Sequence, residues 1–453
     1  MLVGDVNKLY DAYLQGKAVE LPPWLIETKK GIEISPQELF IYLKEKLHIL
    51  AVKLGQSRGI ILYKYNSKGY YELWTESEAK ADIKEFIPIR IRKPYQTDMI
   101  YKEFITERVN TEESDLNSNE DIINFQNGIL DLKSGKLLPH DPKYLSTIQI
   151  KCNYIKNIKP SQLQKTLKFL REATGMNADD MATIWEVIGL VISNVYGRRF
   201  KQFLIIYGKG NTGKSKLLEL IIEIIGEENF FATDMNKLNS QFGGAGIVNK
   251  RLVGSGDMSV SRVESIEKIK ELTGGDRINV EGKFQNSYTT EFRGFLLFCT
   301  NKLPSFGDDR EEHTYDRFLI LSFDNVVPKE KRNPKIVEEL LTEKDALVSL
   351  SVEYLKQAKE RGYKFTESER TKKNREDYER RNNSLKFFVT ECCKIGEGRT
   401  PTPVFKDKYK KFCRENNLVE EKAKDISKIL ENDFGITKKK SNREYYELTV
   451  KDI

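Results

Sequence analysis

Histidine and cysteine are both scarce, with three of the former (His48, His140, His313) and five of the latter (Cys152, Cys299, Cys392, Cys393, Cys413) in 453 residues. Chemistry that needs a cluster of imidazoles is therefore disfavoured. The cysteines are odd in number, and adjacent Cys392–Cys393 matches no zinc-ligand spacing. That argues against a disulfide framework or a structural zinc site, and for small core residues in a reducing compartment. Long apolar runs are also missing. The best, Ile184 to Val195, is interrupted by Glu186 and too short to span a bilayer. The first residues, Met1 to Asp5, lack the basic and then apolar pattern of a signal peptide. A cytoplasmic protein without membrane attachment is expected. No internal repeat and no low-complexity tract stands out.

What is present is charge on a chain long enough for two to four domains. Charged residues make up 32% and hydrophobic residues 39% of the chain, so real cores can form beneath a heavily charged surface. The net charge of +7 leans mildly toward a nucleic-acid partner. Five regions are expected. Residues 1–115 mix amphipathic helix (Ile41 to Leu54) with a hairpin-like alternation (Gly59 to Trp74) and form an α+β region of unassigned role. A polar linker follows, Asn110 to Glu120. Residues 120–197 open with a small β unit, whose turns are Asn127-Gly128 and Ser134-Gly135, and continue as helix from Gln162 to Tyr196. Residues 198–330 alternate apolar strands with longer helices, the signature of an α/β core. Residues 331–382 form a helical lid or linker that includes a densely charged, solvent-exposed helix from Glu367 to Arg381, and residues 383–453 read as a winged helix.

The clearest chemical motif is Gly208-Lys209-Gly210-Asn211-Thr212-Gly213-Lys214-Ser215. It follows the apolar run Phe203 to Tyr207 and precedes an apolar-periodic helix from Lys216 to Ile225, so it has the strand–loop–helix context of a phosphate-binding loop. Glycines let successive backbone N–H groups turn toward a β-phosphate, and the helix N-terminus adds favourable partial charge. Lys214 can reach the β- and γ-phosphates, and Ser215 can ligate Mg2+, so ATP and Mg2+ are the expected cofactors. The pattern arises by chance in roughly two per cent of chains this long, which makes its flanking elements, more than the pattern, decide against a glycine-rich capping turn.

Three further residues complete the expected site. Asp257 ends a short apolar strand after Lys250-Arg251 and can hold Mg2+ through water; the alternative is a turn aspartate. Met258 follows it, so the paired acid of many ATPases is absent, and Asp257 itself or Glu264 must orient the attacking water. Asn301 ends the apolar strand Phe295 to Thr300 and can bond a γ-phosphate or the water, unless it only caps the turn before Pro304. Arg317 begins the strand Phe318 to Leu321 and suits an arginine finger, a group that can contribute ~10³–10⁵ in rate. A surface salt bridge is its alternative.

The order of these motifs resembles superfamily 3 helicases, specifically the helicase part of phage and plasmid primase–helicases related to poxvirus-type ones. The similar elements are Gly208 to Ser215, Arg251 to Asp257, Ile269 to Asp276, Leu297 to Pro304 and Tyr315 to Phe323, all in one order, with Ile123 to Leu132 similar to the β opening of the preceding domain. The resemblance implies AAA+-type modules in a hexameric ring that moves 3′ to 5′ on single-stranded and forked DNA. ATP would lie between subunits. It further implies phosphate binding at Lys214, Mg2+ at Ser215 and Asp257, γ-phosphate sensing at Asn301 and a finger acting in trans at Arg317. Asp257 departs from the glutamate of many relatives, and the N-terminal part shows no pair of metal-binding acids with a histidine. A helicase working with a separate primase or polymerase is expected.

Two segments are expected on DNA. Arg277 to Thr289 reads as two strands around a Gly-Lys-Phe tip, a hairpin that in the resembled family projects into the channel. Lys283 can contact a phosphate and Phe284 can stack on a base; a solvated hairpin with one packing aromatic is the alternative. In the tail, Lys406 to Asn416 and Glu420 to Asn432 would be the second and third helices, with Lys438, Lys439, Lys440 and Arg443 on the wing. Residues 401–453 carry 13 basic against 10 acidic side chains, net +3, so protein contact is a competing use of the wing. The function expected is an ATP-dependent, ring-forming DNA helicase for replication of a phage, plasmid or other mobile element. The rivals are an origin-binding initiator that uses ATP for assembly, and a packaging or remodelling ATPase.

Overall fold

The computed structural model describes residues 5–53, 59–106, 111–238, 245–259, 262–263, 265–280, 288–306, 312–416, 418–440 and 443–451. Its centre is a five-stranded sheet in the order Phe230–Ala232, Leu252–Met258, Phe295–Thr300, Phe203–Tyr207, Phe318–Ser322, with every neighbouring pair parallel. The apolar runs look continuous because both faces are covered, as parallel sheets require. Alternate residues point to opposite faces. Leu204, Ile206, Leu297, Cys299, Leu319 and Leu321 join one hydrophobic cluster, whereas Phe203, Ile205, Leu296, Phe298, Phe318 and Ile320 join another.

The first cluster is built against helices Ala178–Ile192, Lys214–Ile225 and Lys344–Glu360, and it also takes in Ile123, Phe125 and Leu130 of a three-stranded antiparallel sheet. Gly189 lets helices Ala178–Ile192 and Lys344–Glu360 meet closely, since a Cβ there would lie 2.3 Å from the Ser351 carbonyl oxygen. The second cluster is covered by helix Glu267–Gly274, Tyr315 and Tyr378. A third is made of residues between Leu385 and Val450, and a fourth of residues between Val6 and Phe104.

Several elements differ from expectation. Helix Pro36–Leu47 stops at left-handed His48, and Ile49–Lys53 is a strand, so the helical reading of Ile41 to Leu54 overran. The polar segment expected as a linker contains strand Thr111–Glu112 and the buried residues Glu113 and Asn117, so that stretch is folded rather than loose. Asn117 exchanges hydrogen bonds with Thr147, which no local pattern signals. The charged helix spans Glu369–Asn382 and is not wholly solvent-exposed: Tyr378 is buried on the sheet side. In the tail, helices Ser384–Cys392, Thr402–Glu415 and Ile426–Phe434 accompany a three-stranded sheet, not a two-stranded ribbon. The extra strand, Cys393–Pro401, carries Gly396 and Gly398 and is mostly exposed, so it lacks an apolar alternation. Among the described residues, no helix is long and apolar enough to cross a membrane, and no group of His, Cys, Asp and Glu could hold a metal ion by itself.

Candidate nucleotide-binding site

The carboxyl ends of the parallel strands hold the glycine-rich loop. Strand Phe203–Tyr207 lies inside the sheet, and the chain leaves it through Gly208 to Gly213 into helix Lys214–Ile225. Ligands of open α/β sheets bind at such carboxyl ends. Three loop residues need positive φ: Gly208 at 151°, Asn211 at 62° and Gly213 at 93°. Gly208 admits no side chain, because a Cβ would lie 2.0 Å from the Phe323 carbonyl oxygen. The loop is tied at two points: the Gly208 N–H donates to Thr300 at 3.2 Å, and the Val327 N–H donates to the Asn211 carbonyl at 2.9 Å.

Lys214 is buried and turned back into this loop. Its Nζ donates to the carbonyls of Gly208 and Lys209, both at 2.7 Å, to Thr212 Oγ1 at 3.3 Å and to Asn301 Oδ1 at 3.2 Å. Burial holds the ammonium below the usual lysine range, partly offset by the nearby Cys299 and Asp257. Ser215 Oγ donates to the Gly256 carbonyl at 2.7 Å, on the strand that presents exposed Asp257. Four of the expected residues, Lys214, Ser215, Asp257 and Asn301, thus gather at one place on three strand ends. The loop offers an ammonium, backbone N–H groups at a helix start, a hydroxyl and a carboxylate, a donor set that fits a triphosphate with Mg2+.

Arg317 lies elsewhere. Phe203 pairs with Phe318 and Tyr207 with Ser322, so Arg317 precedes the sheet's amino edge while the loop leaves its carboxyl edge. At ~3.3 Å per residue that is a strand length, roughly 15 Å. Its Nη1 donates to Thr273 Oγ1 at 2.9 Å, at the end of helix Glu267–Gly274. Arg251, just before strand Leu252–Met258, is buried against Asn194, and burial pushes its guanidinium down to about 10.

Around the site, Cys299 has the small-core role expected of it, whereas Phe169 and Asn374 are neighbours that sequence reasoning missed. Cys299 Sγ approaches the Lys214 carbonyl at 3.6 Å, and burial pushes its thiol up to about 12, so it packs as an inert small residue. Phe169 sits against the loop, with ring carbons 3.1 and 3.3 Å from where a Gly213 Cβ would be. Tyr207 Oη donates to Asn374 Oδ1 at 3.1 Å, which brings the charged helix to the strand that feeds the loop. These are tertiary approaches between distant segments and leave no local signal.

Lys283, Phe284 and Glu264 lie outside the described residues. The strands that flank the first two, Arg277–Val280 and Tyr288–Glu291, pair antiparallel, with Arg277 opposite Glu291. In the tail, Lys438 pairs with Glu444 at 3.1 Å and Lys439 with Glu447 at 2.7 Å, while Lys440 and Arg443 are exposed.

Two family models match parts of the chain. One, described as D5 N terminal like, covers residues 49–175; the other, a family of unknown function (DUF5906), covers residues 206–317 and so the glycine-rich loop, Asp257 and Asn301. The first fits a family of phage primase–helicases. Among solved structures, the chain is similar to three apo structures of the NrS-1 C-terminal region, each at 14% identity. Two in the A form have TM-scores of 0.48 and 0.46, with 92% of this chain and 100% of theirs covered. The other has a TM-score of 0.44, with 91% and 99% covered.

Proposed function

We propose that the chain is an ATP-dependent DNA helicase of AAA+ type, acting in a ring during replication of a phage, plasmid or other mobile element. The observation that carries this reading is the placement of Lys214, whose buried ammonium lies 3.2 Å from Asn301 within a loop closed by Ser215 and Gly256. A buried ammonium that bonds the Gly208 and Lys209 carbonyls and the neutral side chains of Thr212 and Asn301 is a poor stabilising device. It is well suited to exchanging those partners for phosphate oxygens.

In this reading Lys214 and the first N–H groups of helix Lys214–Ile225 hold the β- and γ-phosphates. Ser215 and Asp257 hold Mg2+, which supplies charge neutralisation on the phosphates when bound. Asn301, already bonded to Lys214, orients the γ-phosphate side of the site. Arg317 lies at the opposite edge of the sheet from its own loop, which supports its service to the loop of a neighbouring subunit. The tail, three helices with a three-stranded sheet, serves as a winged helix on duplex phosphates through Lys440 and Arg443. Lys283 and Phe284 contact the single strand.

A forked-DNA unwinding assay with ATP and Mg2+, run beside Lys214→Ala, tests the proposal. The parent should unwind and the variant should neither unwind nor turn over ATP. Normal hydrolysis by Lys214→Ala would sink the site assignment. Tight, sequence-specific duplex binding without strand separation would favour an initiator instead.

A further inference from the structure

Helix Glu369–Asn382 was expected only as a charged, solvated segment, yet one of its faces is built into the sheet at two functional points. Asn374 bridges two strands at their carboxyl halves: its Nδ2 donates to the Ile320 carbonyl at 3.1 Å, and its Oδ1 accepts from Tyr207 Oη at 3.1 Å. One turn later, Tyr378 is fully buried, packed against the rings of Tyr315 and Phe318 with centroids 6.1 and 5.4 Å away. Its hydroxyl donates to the Pro304 carbonyl at 2.5 Å. Pro304 closes the loop Asn301-Lys302-Leu303-Pro304, which leaves strand Phe295–Thr300 and carries the Asn301 amide that meets Lys214.

The helix is anchored at its start and joined at its end to the C-terminal unit. At its start, Ser368 caps it and bonds Asp180, which also accepts from Arg370 and Thr371. At its end, Asn382 is followed at Ser384 by the first helix of the C-terminal unit. Arg380 pairs with Glu391 at 2.9 Å and Lys386 with Glu379 at 3.5 Å across that junction, and Ser384 Oγ lies 2.6 Å from Tyr409 Oη inside the unit's own core.

We infer that Tyr378 is a positioning residue for the Asn301 loop, and that through it helix Glu369–Asn382 couples the γ-phosphate side of the nucleotide site to the C-terminal unit. This rests on the nucleotide-site reading given above. The physical reason is stiffness. A phenol packed among aromatic rings has little freedom, so a hydrogen bond from it fixes the Pro304 carbonyl relative to the helix. A shift of the Asn301 amide on binding phosphate must therefore either break that bond or move the helix. The helix is anchored near its start by buried charge, so its displacement is largest toward Asn382, where the C-terminal unit begins.

Tyr378→Phe removes the one hydroxyl and keeps the ring. Expected results are nucleotide affinity within about twofold of the parent, KM little changed, and kcat reduced roughly tenfold, since the bond acts on the group that meets the reacting phosphate. The second measurement needs no turnover. In the parent, adenylyl imidodiphosphate with Mg2+ should slow amide hydrogen exchange in residues 301–306 and, together with them, in 378–392. In Tyr378→Phe the first effect should persist and the second disappear. A variant with parental kcat and parental exchange coupling overturns the inference while leaving the nucleotide site standing. A parallel fall in affinity, kcat and thermal midpoint would make Tyr378 a packing residue and also overturn it. A parent that neither binds the analogue nor turns over ATP would remove both readings, and the Lys214→Ala control identifies that case.

Discussion

Lys214 decides more of this molecule's behaviour than any other side chain. Its ammonium is buried, and burial depresses its pKa below 10.5. The depressed group loses its proton at lower pH than an exposed lysine, and the neutral amine no longer offsets phosphate charge. The profile of kcat/KM, which reports the free enzyme, should therefore fall on the alkaline side before pH 10.5. A flat profile up to that pH would mean that Lys214 does not act as a charge. The strand–loop–helix context of the loop was legible in the sequence because it is local: glycines, the lysine and serine at fixed spacing, an apolar strand before and an apolar helix after, which begins at Lys214 and not at Lys216. Phe169, Tyr378 and Asn374 were not legible. Each meets the site through chain folding over tens of residues, and a single tyrosine among the charges of Glu369 to Asn382 leaves no periodic pattern to read.

The elements show where pairing of charges matters and where it does not. Asp180 is almost completely buried in helix Ala178–Ile192 and satisfies Arg370, Ser368 and Thr371 at the start of helix Glu369–Asn382. Asp180→Ala would leave the buried Ser368 and Thr371 hydroxyls without this acceptor, while part-exposed Arg370 keeps the Thr174 carbonyl and Asp324, at a cost of about 1–3 kcal/mol. Denaturant unfolding should show it as a lower midpoint; a change below about 1 kcal/mol would indicate that the anchor is weak. The small sheet of the tail gives the opposite lesson. Four basic residues look equivalent in sequence, but Lys438 and Lys439 spend their charge on Glu444 and Glu447. Lys440→Ala and Arg443→Ala should each lower the salt slope of duplex binding by about 1, and Lys438→Ala by clearly less. Equal effects from all three would show that the cross-strand pairs open on binding. The strands and helices of the core were readable as an α/β pattern, whereas strand Cys393–Pro401 was not, since its two glycines and exposed charges carry neither period.

For the whole molecule, the separation of Lys214 from Arg317 is the feature with the widest reach. A site that takes its lysine from one subunit and its arginine from the next predicts complementation. Arg317→Ala and Lys214→Ala, each inactive alone, should recover part of the ATPase activity when mixed under exchange conditions, and more so at higher protein concentration. No recovery with proven exchange would return Arg317 to its local role at Thr273. The same separation gives the subunit a polarity. A contact between unlike poles is head-to-tail, and repetition of such a contact closes only when the rotation per step divides the circle; otherwise it runs on as a helical filament. The angle at this one joint would then choose between a finite machine and an open polymer. Light scattering during nucleotide addition would report which choice this chain makes, and a substitution that merely tilts the joint could convert one product into the other without touching a single residue that contacts phosphate.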